Sequence, residues 1–91
     1  MHHLVVHCKR EEFDVYIGRP GPWGNIFIIG PDGDRNQVCD KHDIWLREQI
    51  KLGSIEKSDL LALKGKRLGC WCGRALRCHG DNIVRLIEEL S

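Results

Sequence analysis

The 91-residue sequence has no surplus of charge of either sign: fourteen Lys and Arg stand against thirteen Asp and Glu, a formal +1 with histidines neutral. No strong field over the whole surface follows from that balance, which removes the simplest form of nucleic-acid clamp. Long apolar runs are missing too. None exceeds four residues, as at Ile26–Ile29, whereas a bilayer-spanning helix needs ~20. The N-terminus carries no basic region followed by a long apolar one, so it does not read as a signal peptide, and a cytoplasmic location without membrane attachment is expected. Repeats, low-complexity tracts and linker-like stretches are absent, so residues 1–91 are expected to form one domain. With 42% hydrophobic and 30% charged residues the composition is that of a globular domain rather than a disordered tail or a fibre. A chain this short buries only roughly 60 to 65% of the surface its unfolded form exposes, so its core is small.

Cysteine is the residue in unusual supply, with five in the chain. In a reducing compartment an odd number points to thiols, a metal site or a catalytic group rather than a disulfide framework. Cys8 and Cys39 have no partner motif and read as small buried hydrophobes. The other three fall in the run Gly69-Cys70-Trp71-Cys72-Gly73-Arg74-Ala75-Leu76-Arg77-Cys78-His79-Gly80-Asp81, with a histidine and an aspartate beside them.

The pattern along the chain sets where that run falls. Leu4–Cys8 and Phe13–Gly18 are rich in Val, Ile, Tyr and Phe and flank the charged Lys9-Arg10-Glu11-Glu12, which predicts two short strands with a turn between them. Ile26–Ile29 predicts a third strand, closed by the turn Gly30-Pro31-Asp32-Gly33. Asp34 and Gln37 carry the capping-box signature of a helix over Arg35–Leu52 that Gly53 ends. Val38, Trp45 and Leu52 recur on it at sevenfold spacing, with Ile44, Leu46 and Ile50 beside them. Ser58 is the expected cap of a short helix through Leu63 that Gly65 terminates. Lys66–Cys72 predicts a strand on which Cys70 and Cys72 face one way and Trp71 the other. The last element is a helix over His79–Leu90 with Ile83, Val84, Leu86, Ile87 and Leu90 on its apolar face. The expected fold is α/β or α+β: a small sheet of about four strands packed with two to three helices.

The cysteine run therefore lies at a strand-to-helix junction, where alternating sheets usually bind ligands. Two chemistries compete for it. In the first, Cys78 and His79 sit in the opening turn of the helix, where unpaired N–H groups and the helix dipole favour an anion or a thiolate, and the imidazole takes the thiol proton. Asp81 then orients His79 or caps the helix, and Cys72, beside glycine and arginine at the strand end, joins the reactive set. From Lys64 through Gly80 there are five basic residues and no acidic one, a local cationic rim in a neutral chain. In the second, Cys70, Cys72, Cys78 and His79 ligate a tetrahedral zinc. The ligand count suits that site, but C-x-C-x₅-C-H is not the paired C-x₂-C of zinc knuckles, and adjacent residues leave a helical turn on diverging bearings. All three cysteines also have a plain reading as small buried hydrophobes, which is favoured for Cys70 at a strand centre over Cys72 and Cys78.

A further compact set is Gly18-Arg19-Pro20-Gly21-Pro22-Trp23-Gly24-Asn25. Its prolines fix φ and its glycines permit close backbone approach, so Arg19, Trp23 and Asn25 are held in a pre-set arrangement. An arginine fork for phosphate, an indole face for a base or sugar and an amide for a base edge make a toolkit that suits a nucleotide. The same residues also describe a rigid turn whose Trp plugs the core. Arg35 opens the long helix, where the dipole disfavours a cation; a pairing with an anion or an acidic side chain is one reading of its placement, and a plain solvated side chain is the other.

Together these segments resemble the DUF4326 family of bacteria and their phages. The resemblance rests on Asp14-Val15-Tyr16-Ile17-Gly18-Arg19-Pro20, Trp23-Gly24-Asn25 with Phe27, Gly33 and Arg35, Trp45-Leu46, and Gly65-Lys66 through Cys70-Trp71-Cys72 to Cys78-His79-Gly80-Asp81, and runs from about Asp14 to Leu90. Two departures stand at Ile26, where the family pattern has proline, and at Gly73–Leu76, where it carries a proline before the next cysteine. The ending is also similar to the DUF488 pattern of a strand-end cysteine and a Cys-His-Arg at a helix start, with Gly80 in place of the arginine, so no phosphate contact carries over from there. The resemblance implies a cytosolic, often phage-encoded protein linked to nucleotide or nucleic-acid metabolism and supplies no reaction.

The expectation is a domain that binds a nucleotide or nucleic-acid component in one cleft built from both segments, with catalysis left open and no cofactor. Arg19, Trp23, Asn25 and Arg35 hold the ligand, and Cys78, His79, Asp81 and Cys72 form the reacting side. The alternative is a zinc-stabilised module that binds a host protein through a Cys70, Cys72, Cys78 and His79 site. A third reading is a nucleic-acid binder using the basic Lys64–Arg77 segment.

Overall fold

A computed structural model describes residues 5–9, 12–18, 21, 23–71 and 77–91. In chain order the elements are β1 (Val5–His7), β2 (Val15–Tyr16), α1 (Arg35–Leu52), α2 (Lys57–Leu61), β3 (Leu68–Cys70) and α3 (His79–Leu90). The fold is α+β. Its sheet is parallel throughout, in the order β1-β3-β2, with Leu68 level with both Val5 and Val15. The two N-terminal strands are therefore not neighbours, because β3 lies between them. All three β3 residues are buried, as expected of the central strand of a parallel sheet covered on both faces.

α1 follows its sequence signals at both ends. The Asp34 carboxylate accepts from the Gln37 N–H, the Gln37 side chain accepts from the Asp34 N–H, and Gly53 closes the helix at φ 82°, a left-handed conformation that glycine adopts without steric cost. Its buried stripe differs from the sevenfold set. Val38, Cys39, His42 and Leu46 are buried, while Ile44 is 69% and Leu52 66% exposed. A straight helix turns every 3.6 residues, so a seven-residue repeat drifts by about 20° each time and leaves the core side within two repeats.

Three other expectations are corrected. Ile26–Ile29 is not a strand, and among the described residues the sheet has three strands rather than four. Local bonds take its backbone groups instead: the Ile28 N–H donates to the Asp32 carboxylate and the Phe27 N–H to the Asn25 side chain, while the Ile28 carbonyl accepts from the Asp32 N–H. Ser58 is inside α2 rather than its cap; Glu56 holds the cap position without a side-chain bond, and the helix ends at Leu61. β3 is shorter than the expected Lys66–Cys72, and Cys72 lies outside the described residues.

α3 begins on Cys78, whose N–H donates to the Asp81 carboxylate while its sulfur accepts from the Gly80 N–H. Ile83, Leu86 and Ile87 face a core of Ile17, Leu46, Leu60 and Leu68. A Cβ on Gly80 would fall 2.8 Å from Ile17 Cδ1 and 2.9 Å from the Val5 methyls, so the bare residue is what lets α3 start directly against the sheet. No described helix is long and apolar enough to cross a membrane.

Candidate functional site

Parallel strands end together, and the connections leaving them gather on one side. At that side lies a cleft of about 230 Å³, whose lining includes Gly18, Asn25, Arg35, Trp71, Cys78 and His79. Segments far apart in sequence thus contribute to one cavity. A larger cavity of about 510 Å³ lies at the opposite end of β3, among Leu63, Lys66, Leu68, Val84 and Ile87. It is mostly apolar, and no cysteine or histidine is among the described residues that line it, so the smaller cleft, where polar groups converge, is the candidate site.

Cys78 stands in its wall at 2% exposure. Its sulfur lies 3.6 Å from His79 Nδ1 and 3.0 Å from the sulfur of Cys70. His79 Nε2 lies 2.7 Å from the Ile17 carbonyl oxygen. A carbonyl only accepts, so Nε2 carries the proton and Nδ1 presents its lone pair to Cys78 in the neutral ring. The sulfur also caps the helix N-terminus, accepting from the Gly80 N–H at 3.4 Å. Asp81 serves as the helix cap, the second of its two expected roles.

Behind this pair is a buried polar layer that sequence patterning did not single out. His42 and Asn82 are fully buried, and the His42 ring packs edge-on to His79 at 5.1 Å between centroids. The Asn82 amide nitrogen donates to the Cys39 carbonyl at 2.8 Å and to His42 Nδ1 at 3.2 Å, while its oxygen accepts from Arg85. His42 Nδ1 is therefore an acceptor. Burial, seconded by the charge of His79, lowers the His42 pKa from 6.5 to about 3, against a small opposing influence of the Trp23 backbone. That influence falls short of a well-formed hydrogen bond, and His42 Nε2 has no partner among the described residues. The signal available in the sequence was spacing: His42 falls one turn from Val38 and Leu46, and Asn82 adjoins Ile83 on the buried side of α3.

The loop residues divide. Asn25 lines the cleft, but its amide is occupied: the nitrogen donates to the Val38 carbonyl at 3.2 Å and the oxygen accepts from the Phe27 N–H at 2.9 Å. Trp23 is 9% exposed and belongs to the core cluster, away from the cleft lining. Trp71, which sequence reasoning did not place in the site, is 56% exposed, lines the cleft, donates to the Tyr16 hydroxyl at 2.7 Å and has Lys9 Nζ at 5.4 Å from its ring centroid. Arg35 lines the cleft and donates to the Arg77 carbonyl at 3.2 Å, tying α1 to the segment before α3. Cys39, read as core filler, is buried and also lines the cleft. Arg19 and Cys72 lie outside the described residues.

Among the described residues the basic run is not one rim, and its Arg74 lies outside them. Lys64 and Lys66 precede β3 and line the apolar cavity, Arg67 faces Glu12 at 3.8 Å, and Arg77, beyond the other end of the strand, pairs with Asp40 at 2.6 Å. That carboxylate holds the Arg77 guanidinium in its charged form. The intervening strand separates charges that are adjacent only in the sequence. Among the described residues, no group of three or more His, Cys, Asp and Glu side chains is arranged to hold a metal ion.

The family model of DUF4326, a domain of unknown function, matches residues 6–89. An uncharacterized 12.4 kDa protein in the nrdA-td intergenic region of Enterobacteria phage T4 is 38% identical over 87 residues, covering 94% of this chain and 78% of that protein. An uncharacterized protein of Acanthamoeba polyphaga mimivirus is 27% identical over 111 residues, covering 97% of this chain and 82% of that protein. No solved structure matches significantly.

Proposed function

This chain belongs to the DUF4326 family, and we propose that it binds a nucleotide or nucleic-acid component in the cleft at the carboxyl ends of its strands. The observation that carries this reading is the convergence of Gly18, Arg35, Trp71, Cys78 and His79 on one cavity. Arg35 offers a guanidinium to an anionic group, and the exposed Trp71 ring offers a face for stacking a base. Cys78 and His79 line the wall that the ligand would meet. A cleft of about 230 Å³ is below the usual ligand-cavity range of roughly 300–1,000 Å³, so a base or a single phosphate enters and the rest of the ligand remains outside. Arg19 follows the cleft residue Gly18 in the chain and belongs to the proposal on sequence grounds. The likeness to the DUF488 pattern contributes only the Cys-His pair at a helix start, since Gly80 supplies no cation.

The test is a thermal-shift screen of bases, nucleoside monophosphates and triphosphates and short oligonucleotides, followed by titration of the best compound against variants. Trp71→Ala and Arg35→Ala should each weaken binding by about tenfold or more, the loss of a stacking face or a charge-assisted bond. The reading fails if no compound raises the Tm, or if Cys78→Ser, Arg19→Ala and Trp71→Ala all bind as tightly as the unmodified protein.

A further inference from the structure

Cys70 ends β3 and Cys78 caps α3, and their sulfurs stand 3.0 Å apart, both as thiols and both buried. The pair is within about 1 Å of the ~2.05 Å disulfide bond length. Both residues are fixed by their backbones: the Cys70 carbonyl accepts from the Cys8 N–H at 2.8 Å, and the Cys78 N–H donates to Asp81 at 3.1 Å. The two sulfurs are therefore held together by the sheet and by the helix start rather than by a loop. They also differ in access. Cys78 is among the described residues that line the cleft and Cys70 is not. His79 Nδ1 stands 3.6 Å from Cys78 Sγ as a proton acceptor.

We propose that Cys78 is a peroxide-reactive thiol and that Cys70 resolves it, giving a reversible Cys70–Cys78 disulfide. Cys78 Sγ gives its proton to His79 Nδ1 and attacks one oxygen of hydrogen peroxide. An S–O bond forms, the O–O bond breaks, and the departing hydroxide takes the proton from His79 and leaves as water. Cys78 is now a sulfenic acid, oxidised by two electrons as the peroxide is reduced. Cys70 Sγ then attacks Cys78 Sγ: the S–S bond forms, the S–O bond breaks, and the hydroxyl leaves as water with the Cys70 proton. The sum is two thiols and one peroxide giving one disulfide and two waters. This chemistry holds whatever ligand the cleft binds.

The experiment is peroxide treatment of the folded, reduced protein, with alkylation and non-reducing peptide mapping at timed intervals. The expected result is a Cys70–Cys78 linked peptide and an intact mass lower by two hydrogens, both reversed by dithiothreitol. Cys8, partly exposed but not at a helix start, and with the neighbouring His7 Nδ1 already accepting from the Lys9 N–H, should oxidise about tenfold more slowly. Cys70→Ser, and Cys70→Ala as a second variant, should stop at a Cys78 sulfenic acid that dimedone captures, whereas Cys72→Ser should still form the link. The proposal is overturned if no link forms in the folded protein, if the link joins Cys72 instead, or if Cys8 reacts as fast as Cys78. It is equally overturned if elemental analysis finds one zinc per chain and the thiols alkylate only after the metal is chelated.

Discussion

Acidification from about pH 7.5 to about pH 5 should remove about 2 kcal/mol of stability through His42 alone. The Asn82 amide nitrogen donates to His42 Nδ1 at 3.2 Å, and that amide is held in place by its bond to the Cys39 carbonyl. A proton on Nδ1 would set N–H against N–H in a fully buried site, with His79 5.1 Å away. The folded-state pKa is accordingly lowered from 6.5 to about 3, so between those values the unfolded chain binds a proton that the folded chain refuses. Stability from this group is complete above about pH 6.5 and falls with pH at about 1.4 kcal/mol per unit until about pH 3. Set against the 5–15 kcal/mol of a typical domain, about 2 kcal/mol at pH 5 is readily measured. Urea unfolding at the two pH values, repeated on His42→Leu, isolates the effect. The variant should lose about 2 kcal/mol less than the unmodified protein on acidification, whatever its stability at neutral pH, and the His42 ring should show no NMR titration in the folded state down to about pH 5. Equal acid sensitivity in the two proteins, or a His42 ring that titrates between about pH 6 and 7, would refute the reasoning.

Two other substitutions probe the same framework. Gly80→Ala places a Cβ within 2.8 Å of Ile17 and 2.9 Å of Val5 and should destabilise the fold by about 1–3 kcal/mol despite alanine's better helix propensity; a neutral or stabilising result in chemical denaturation would show that α3 starts farther from the sheet. Asn82→Leu removes the donor that His42 Nδ1 faces and the second bond to the Cys39 carbonyl and should cost about 1–3 kcal/mol. It should also let His42 take up a proton at higher pH, which NMR titration of the ring would detect.

Both ends of α1 and the start of α3 were legible because caps are local. Asp34 meets Gln37, Gly53 follows Leu52, and Cys78 meets Asp81, all within a few positions. The apolar side of α3 was legible for the same reason, since its periodicity is uninterrupted. Ile26–Ile29 misled because an apolar run satisfies the strand pattern, while the neighbouring Asn25 and Asp32 side chains compete for the same backbone groups. The tryptophans misled in the opposite sense. Trp23, in a loop of special residues, looks like a ligand platform and fills the core; Trp71, at the end of a strand, looks like an alternating surface residue and stands at the cleft.

By itself the sequence determined a small fold of the α/β or α+β class, the strand-to-helix junction that carries the cysteine run, and the caps that start and stop its main helices. Each depends on hydrogen bonds or periodicity within about one or two turns of chain. The tertiary structure decided which of those residues meet. His79 reaches Ile17 across 62 positions, Arg35 reaches Arg77 across 42, and Asn82 reaches His42 across 40. It also divided the basic run between two ends of a strand and brought Cys70 and Cys78 to 3.0 Å. Contacts of that range follow from the strand order β1-β3-β2 and from the seating of α3 on a bare glycine. Neither is written in a local pattern, because both are properties of how separately formed elements pack together.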